Sequence, residues 1–168
     1  MSKESDEYEK FIAGIIEDIK STGRDIEIIC RGRNCKLKGE TGQEHQIDVA
    51  FVDRSLPTPA LILVECKLRK SNNVGPDTPK VADFNEKDIG PLKEYANDTT
   101  TIIVTTCGYS KGARLISDRR ELVREIVPFK ADAYTFRYRD IVMGYASDGL
   151  GFDDEVEVAH RRDGKLID

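Results

Sequence analysis

The alternation of apolar and polar positions divides the chain into a series of short elements. Phe11, Ile12, Ile15, Ile16 and Ile19 recur at helical spacing. They predict a first helix from an N-cap at Ser5 to about Ser21, ended by Gly23. Ile26 to Cys30 is a β-rich run, and the polar stretch Arg31 to Gln43, with Gly32, Gly39 and Gly42, reads as a loop or hairpin tip. His45 to Val52 and Ala60 to Lys67 read as two further strands, divided by Pro57 and Pro59, and the short connection makes them neighbours.

Ser71 to Pro79 reads as a loop of Ser, Asn, Gly and Pro, followed by a second helix from Asp83 to about Ala96 that Gly90-Pro91 interrupts. Thr100 to Thr106 is a strand. The turn Cys107-Gly108-Tyr109-Ser110 leads into a third helix predicted over Lys111 to Ile126, and Ala133 to Tyr138 is a fifth strand. After Asp140 the pattern weakens to a short helix ending at Tyr145. A glycine-rich link follows, then a hairpin over Glu155 to Ile167 turning at Asp163-Gly164. The order, α-β-β-β-α-β-α-β, implies a mixed α/β sandwich. Residues 1–146 are read as the domain, and 147–168 as a C-terminal extension.

At 168 residues the chain suits one domain with a real core. A charged fraction of 34% and an apolar fraction of 39% suggest neither disorder nor a fibrous repeat. The net charge of −5 counts against broad electrostatic capture of nucleic acid, though not against a local basic groove. The polar, acidic start Met1-Ser2-Lys3-Glu4-Ser5 has no secretory pattern and no run reaches membrane-spanning length, so a cytoplasmic location is expected. Cys30, Cys35, Cys66 and Cys107 form no Cys-x-x-Cys pair, and the lone Cys-x4-Cys has no second half, so all four are read as reduced thiols. Two histidines far apart in sequence, His45 and His160, argue against a histidine-rich metal site.

One segment is a poor way to build a core. The apolar strand Ala60 to Val64 ends in Glu65-Cys66-Lys67, and Asp48 lies inside another short apolar run. Alternate side chains of a strand share a face, so Glu65 and Lys67 point the same way, with Leu63 behind them. A buried carboxylate and ammonium cost several kcal/mol unless each is paired or holds a metal. Phosphodiester hydrolysis needs a cation to neutralise charge on the phosphate and an aligned, activated water. Hard cations such as Mg²⁺ take carboxylates, a backbone carbonyl and waters. Asp48, Glu65 and the carbonyl of Cys66 fit that need, and Lys67 is the group to polarise or orient the water.

With these residues the chain resembles the PD-(D/E)XK nuclease superfamily, the restriction-endonuclease-like fold, and within it the Mrr-type and archaeal Holliday-junction-resolvase-like branches. The matching pieces are Tyr8-Glu9-Lys10-Phe11 on the first helix, Gln46-Ile47-Asp48-Val49, and Val64-Glu65-Cys66-Lys67. The strand, turn and helix start from Thr101 to Ala113 also resemble the Mrr-type pattern, and the likeness runs from Tyr8 to Tyr138. Ile47 stands where the family often has proline, and the stretch from Asp48 to Glu65 is somewhat long for it. The resemblance implies a three-layer α/β/α sandwich around a central mixed sheet. It also implies a Mg²⁺- or Mn²⁺-dependent DNA endonuclease of restriction or DNA-processing type, acting as a homodimer. Asp48, Glu65 and Lys67 would be catalytic, and Asp48, Glu65, Cys66 and Glu9 would hold the metal.

Each assignment has a plainer counterpart. Glu65 and Lys67 could form a surface ion pair, which would contribute little. Glu9 shares an acidic helix start with Glu4 and Glu7, where the helix dipole favours carboxylates anyway. Arg69 and Lys70 are candidates for phosphate contact. Ser110 before Lys111 reads as an ordinary N-cap, Arg119, Arg120 and Arg124 as a polar helix face, and His45 as a surface histidine. The alternative function is a catalytically silent module of the same fold that binds nucleic acid or a protein partner. A hydrolase of small phosphorylated substrates ranks last, because no glycine-rich phosphate loop is present.

Overall fold

The computed structural model describes residues 2–146, 161–162 and 165–166. Helix α1 (Lys3–Ser21) starts three residues earlier than expected, because Ser2 rather than Ser5 is the cap and its hydroxyl accepts the Ser5 amide at 3.1 Å. Strand β1 (Ile26–Arg31) is followed by a small hairpin of β2 (Lys36–Lys38) and β3 (Glu44–Gln46), then by β4 (Val49–Asp53) and β5 (Ala60–Lys67). The run expected as one strand from His45 to Val52 is thus broken at Ile47-Asp48, where the chain leaves the hairpin for the main sheet.

Helix α2 (Asp77–Ile89) begins within the expected loop and is followed by a 3-10 turn, Gly90–Leu92. The first turn of a helix tolerates Pro79, since the amides there have no intrahelical acceptor, and Pro91 ends the regular helix. Strand β6 (Asp98–Thr105) and helix α3 (Lys111–Arg119) come next. The third helix is shorter than predicted, for residues Val123–Ile126 form strand β7. Glu121 turns the chain with a φ of 58°, the Leu122 amide donates to the Ser117 carbonyl, and the freed segment pairs with β6. Strands β8 (Ala133–Tyr138) and β9 (Ile141–Ala146) make an antiparallel hairpin, so the short helix expected up to Tyr145 is a strand. Strands β10 (Arg161–Arg162) and β11 (Lys165–Leu166) pair on either side of the expected turn. The rest of the extension lies outside the described residues.

The main sheet has the order β1-β4-β5-β6-β7. Strand β4 runs antiparallel to both β1 and β5, while β5, β6 and β7 are mutually parallel. Alternation sends Ala60, Ile62 and Val64 to one face, where α1 and the β8–β9 hairpin cover them through Tyr8, Ile12, Ile16, Phe136 and Met143. Leu61 and Leu63 point to the other face, covered by the β2–β3 hairpin and the end of α2. Further along that face Ile103 packs with Ala82 of α2 and Ala113 of α3. The three-layer mixed α/β sandwich expected from the sequence is the architecture observed.

One buried carboxylate fastens the β8–β9 hairpin to the sheet. Asp53 is fully buried at the end of β4 and accepts from the Tyr138 hydroxyl at 2.6 Å, the Ser55 amide at 3.0 Å and the Ser55 hydroxyl, with the Arg24 guanidinium 3.7 Å away. Burial pushes its pKa up, but the donors from Ser55 and Tyr138 and the Arg24 charge outweigh it and hold the carboxyl below its usual range. Asp53→Ala strands the Tyr138 hydroxyl and should cost about 2–3 kcal/mol, read as a lower urea midpoint at pH 7. Because the folded value is depressed, that stability is present above about pH 3.9, the unfolded value, and is lost as pH falls through the folded one. The gap between wild type and variant should therefore narrow in acid, and a constant gap would rule out an ionised Asp53.

A carboxylate cluster at the end of the central strand

The residues predicted from sequence converge. Val49 of β4 pairs with Val64 of β5, which sets Asp48 beside the end of β5, where the Cys66 amide donates to Asp48 Oδ2 at 2.7 Å. Asp48 is only 7% exposed. Its main-chain carbonyl accepts from the Gly32 amide at 2.9 Å, so the turn after β1 helps fix it. From the facing helix Glu9, 6% exposed, hydrogen-bonds Asp48 side chain to side chain. Its acidic neighbours on α1 behave differently: Glu4 pairs with Lys70, Asp6 with Arg33 and Glu7 with Lys130. The acidic opening of the helix accounts for those three and not for Glu9.

The electrostatics follow from that packing. Burial, then the Asp48 hydrogen bond and charge, push the Glu9 pKa up to about 9. Burial and the Asp48 charge push Glu65 up to about 8, with Lys67 pulling the other way. Glu65 Oε1 is buried without a hydrogen-bond partner. An orphaned buried carboxylate oxygen next to two other carboxylates is an arrangement that a cation would relieve. Among the described residues no group of three or more His, Cys, Asp or Glu stands as a ready-made cage. The donor set instead suits a hard ion that keeps most of its own waters and takes one or two carboxylates.

Cavities flank the cluster. One of about 430 Å³ is lined by Asp6, Glu9, Lys10, Arg31, Gly32 and Arg33. Another, of about 190 Å³, is lined by Glu65, Lys67 and, from the start of α2, Asp77, Thr78, Val81 and Ala82. Lys67 therefore lines a cavity together with Glu65, close enough for its charge to act on that carboxyl. The helix α2 residues and the guanidiniums of Arg31 and Arg33 were not singled out by the sequence. The only hint of the latter was a glycine-bearing turn directly after a strand.

Other expectations resolve differently. His45 is not a surface histidine: it is 4% exposed, with Nε2 2.6 Å from Asp88 Oδ2 and its ring edge-on to Phe84. It pairs in register with buried Leu37, so strand alternation turns it inward toward α2 and away from Asp48. Cys30 and Cys35 are not thiols but form a disulfide, while Cys66 and Cys107 are free as expected. Ser110 is the N-cap of α3, accepting from the Ala113 amide at 3.1 Å. Arg119 is on exposed helix surface. Arg120 instead crosses to Asp83 of α2, and Arg124, outside the helix, reaches Asp118. Arg69 is exposed and Lys70 pairs with Glu4.

No family model matches the sequence, and no curated protein matches it. Among solved structures it is similar to the protein of unknown function AF1548, at 15% identity and a TM-score of 0.50, over 68% of this chain and 56% of that one. EndoMS in its apo form is similar at 14% identity and a TM-score of 0.39, over 71% of this chain and 47% of that one. The MspJI restriction endonuclease, in complex with a 27-mer oligonucleotide, is similar at 13% and 0.42, over 71% and 25%. The chain spans about half the length, or less, of these proteins, and the likeness is one of fold.

Proposed function

We propose that this chain is a divalent-metal-dependent DNA endonuclease, with Asp48 and Glu65 as the metal carboxylates, helped by the Cys66 carbonyl, and with Lys67 as the catalytic cation. The observation that carries the reading is the convergence of Glu9 from α1, Asp48 from the bend before β4 and Glu65 from β5 around a buried, unpartnered Glu65 oxygen. The motif resemblance to PD-(D/E)XK nucleases supports it from the sequence side. A bound Mg²⁺ or Mn²⁺ would neutralise charge growing on the phosphate and make a water nucleophilic near neutral pH.

The chain's own residues supply the rest. Lys67 faces the cavity shared with Glu65, where its ammonium can orient a water and offset the developing negative charge. Glu9 holds a proton against Asp48 and so orients that carboxylate, as a further ligand or an outer partner. The Cys66 amide keeps the other side of Asp48 in place. Cutting both strands of a duplex calls for two such sites, hence a homodimer, which sedimentation can check. No helix among the described residues is long and apolar enough to cross a membrane.

The test is to incubate the purified chain with linear duplex, junction, flap and single-stranded DNA, with Mg²⁺, with Mn²⁺ and with chelator. Cleavage of at least one form only when metal is present is the expected result. The net charge of −5 favours the silent binding module as second reading. Metal-independent binding with no cut DNA of any form would decide for it.

A further inference from the structure

The turn that joins β1 to β2 is closed by the Cys30–Cys35 bond and lies directly against the carboxylate cluster. Three main-chain bonds lock it there. The Gly32 amide donates to the Asp48 carbonyl at 2.9 Å, the Cys35 amide to the Gly32 carbonyl at 3.0 Å, and the Ile47 amide to the Cys35 carbonyl at 2.9 Å. Gly32 has a φ of +81°, a left-handed conformation that a residue with a Cβ adopts only with strain. On the β1 side the register shifts between Ile28 and Cys30, a bulge that re-aims the end of the strand. The result is that Arg31 and Arg33 stand in the wall of the 430 Å³ cavity with Lys10 and Glu9. Arg33 is also tied to Asp6 at 3.7 Å, and Arg31 and Arg33 are both exposed.

Three cations around a solvent-open cavity beside a phosphodiesterase-like cluster suit a nucleic-acid backbone phosphate, which guanidinium forks bind in two-pronged fashion. We propose that the disulfide-closed turn is a phosphate clamp on the DNA strand whose grip is set by the redox state of the Cys30–Cys35 bond. The proposal rests on the nuclease reading above. With the bond closed, the turn is a short ring with few accessible conformations, and Arg31 and Arg33 are pre-organised toward the strand. With it open, the turn keeps only the main-chain bonds, Asp48 loses part of its support, and ordering the two guanidiniums must be done at the expense of binding.

The switching step balances. Cys35 is fully buried and Cys30 is partly exposed, so the thiolate of a dithiol reductant attacks Cys30 Sγ. The Sγ–Sγ bond breaks, Cys35 leaves as a thiolate and takes up a proton, and a mixed disulfide joins the reductant to Cys30. The reductant's second thiol then displaces Cys30 as a thiolate, which is protonated in turn. Two electrons pass to the protein and the dithiol leaves as its cyclic disulfide. Cys66 and Cys107 are already free thiols and do not change.

The full chain, oxidised or treated with dithiothreitol, can be compared with the Cys30→Ser/Cys35→Ser variant, using thiol alkylation to verify two free thiols in the first form and four in the second. Two readouts are followed: the rate of tryptic cleavage after Arg31 and Arg33, and affinity for a fluorescent duplex by anisotropy in Ca²⁺. Reduction is expected to raise the tryptic rate about tenfold and to weaken DNA binding about fivefold, the loss of roughly one phosphate contact. The double variant should match the reduced form and ignore dithiothreitol. Equal DNA affinity in the two redox forms overturns the clamp and leaves the nuclease reading standing. Absence of any DNA binding in both forms sinks the nuclease reading and takes the clamp with it. Dithiothreitol acting equally on the double variant overturns the assignment to this bond.

Discussion

Asp48→Ala and Glu65→Ala should each lower metal-dependent DNA cleavage by roughly 10³-fold or more, with the fold intact. The size follows from what is lost: about 4 kcal/mol of charge stabilisation at the phosphate corresponds to three powers of ten in rate. The fold should survive because neither side chain belongs to the apolar clusters that cover the two faces of the sheet. Asp48→Ala gives up the bond from the Cys66 amide, and Glu65→Ala removes an oxygen that has no partner to lose. Single-turnover rates at saturating Mg²⁺, with circular dichroism on each variant, are the measurement. Wild-type rates in either variant would remove that residue from the metal site. Glu9→Gln, which keeps a hydrogen-bonding group against Asp48, should be milder, and a loss as large as that of Asp48→Ala would make Glu9 a direct ligand.

The second large effect concerns stability without metal. Glu9 and Glu65 have folded pKa values of about 9 and about 8, each raised first by burial. Unfolded, a glutamate titrates near 4.3. Between those limits the folded chain binds more protons than the unfolded one, so stability falls as pH rises. The penalty begins above about pH 4.3 and grows until the pH passes the folded values. Allowing for solvent screening, it is on the order of 2–3 kcal/mol at pH 9, or about 5–10 °C in Tm. In chelator, the melting temperature of wild type should drop across this range, and Glu65→Gln should flatten the drop and melt higher at pH 9. Mg²⁺ should restore the wild type and leave Asp48→Ala unmoved. A Glu65→Gln variant that melts lower than wild type at pH 9 would mean that Glu65 is held by a stabilising ion pair instead.

The pattern of residues carried the central strand well. Apolar positions that end in Glu65-Cys66-Lys67 define β5 and its chemistry together, and the isoleucine stripe of α1 has one natural place, against the sheet. Register did the rest for Asp48, since an antiparallel neighbour brings it to the end of β5. Elsewhere the same code is ambiguous. Leu115, Ile116, Leu122, Val123 and Ile126 have helical spacing, and only the pairing of β7 with β6, a long-range contact, turns Val123–Ile126 into a strand. The contiguous run Ile141-Val142-Met143 has no period to read, so spacing alone does not separate the strand β9 from the expected short helix. The inward turn of His45 depends on its pairing with Leu37, and the disulfide on the fold of the β1–β2 turn; neither is written in spacing alone. Glu9 was undecidable by composition because its neighbours are acidic too, and burial separates it from them.

Strand β5 is paired along its whole length with β6 and, from Ala60 to Val64, with β4 on its other side. An inner strand of this kind cannot detach without breaking two ladders at once, so its amides open only when the entire sheet does. The chain thus sets Glu65 and Lys67 at the end of this inner strand, just past its doubly paired part, and hangs the cationic turn at the end of an edge strand. Heat or denaturant would then loosen the turn that carries Arg31 and Arg33 well before it disturbs the geometry of the carboxylate cluster.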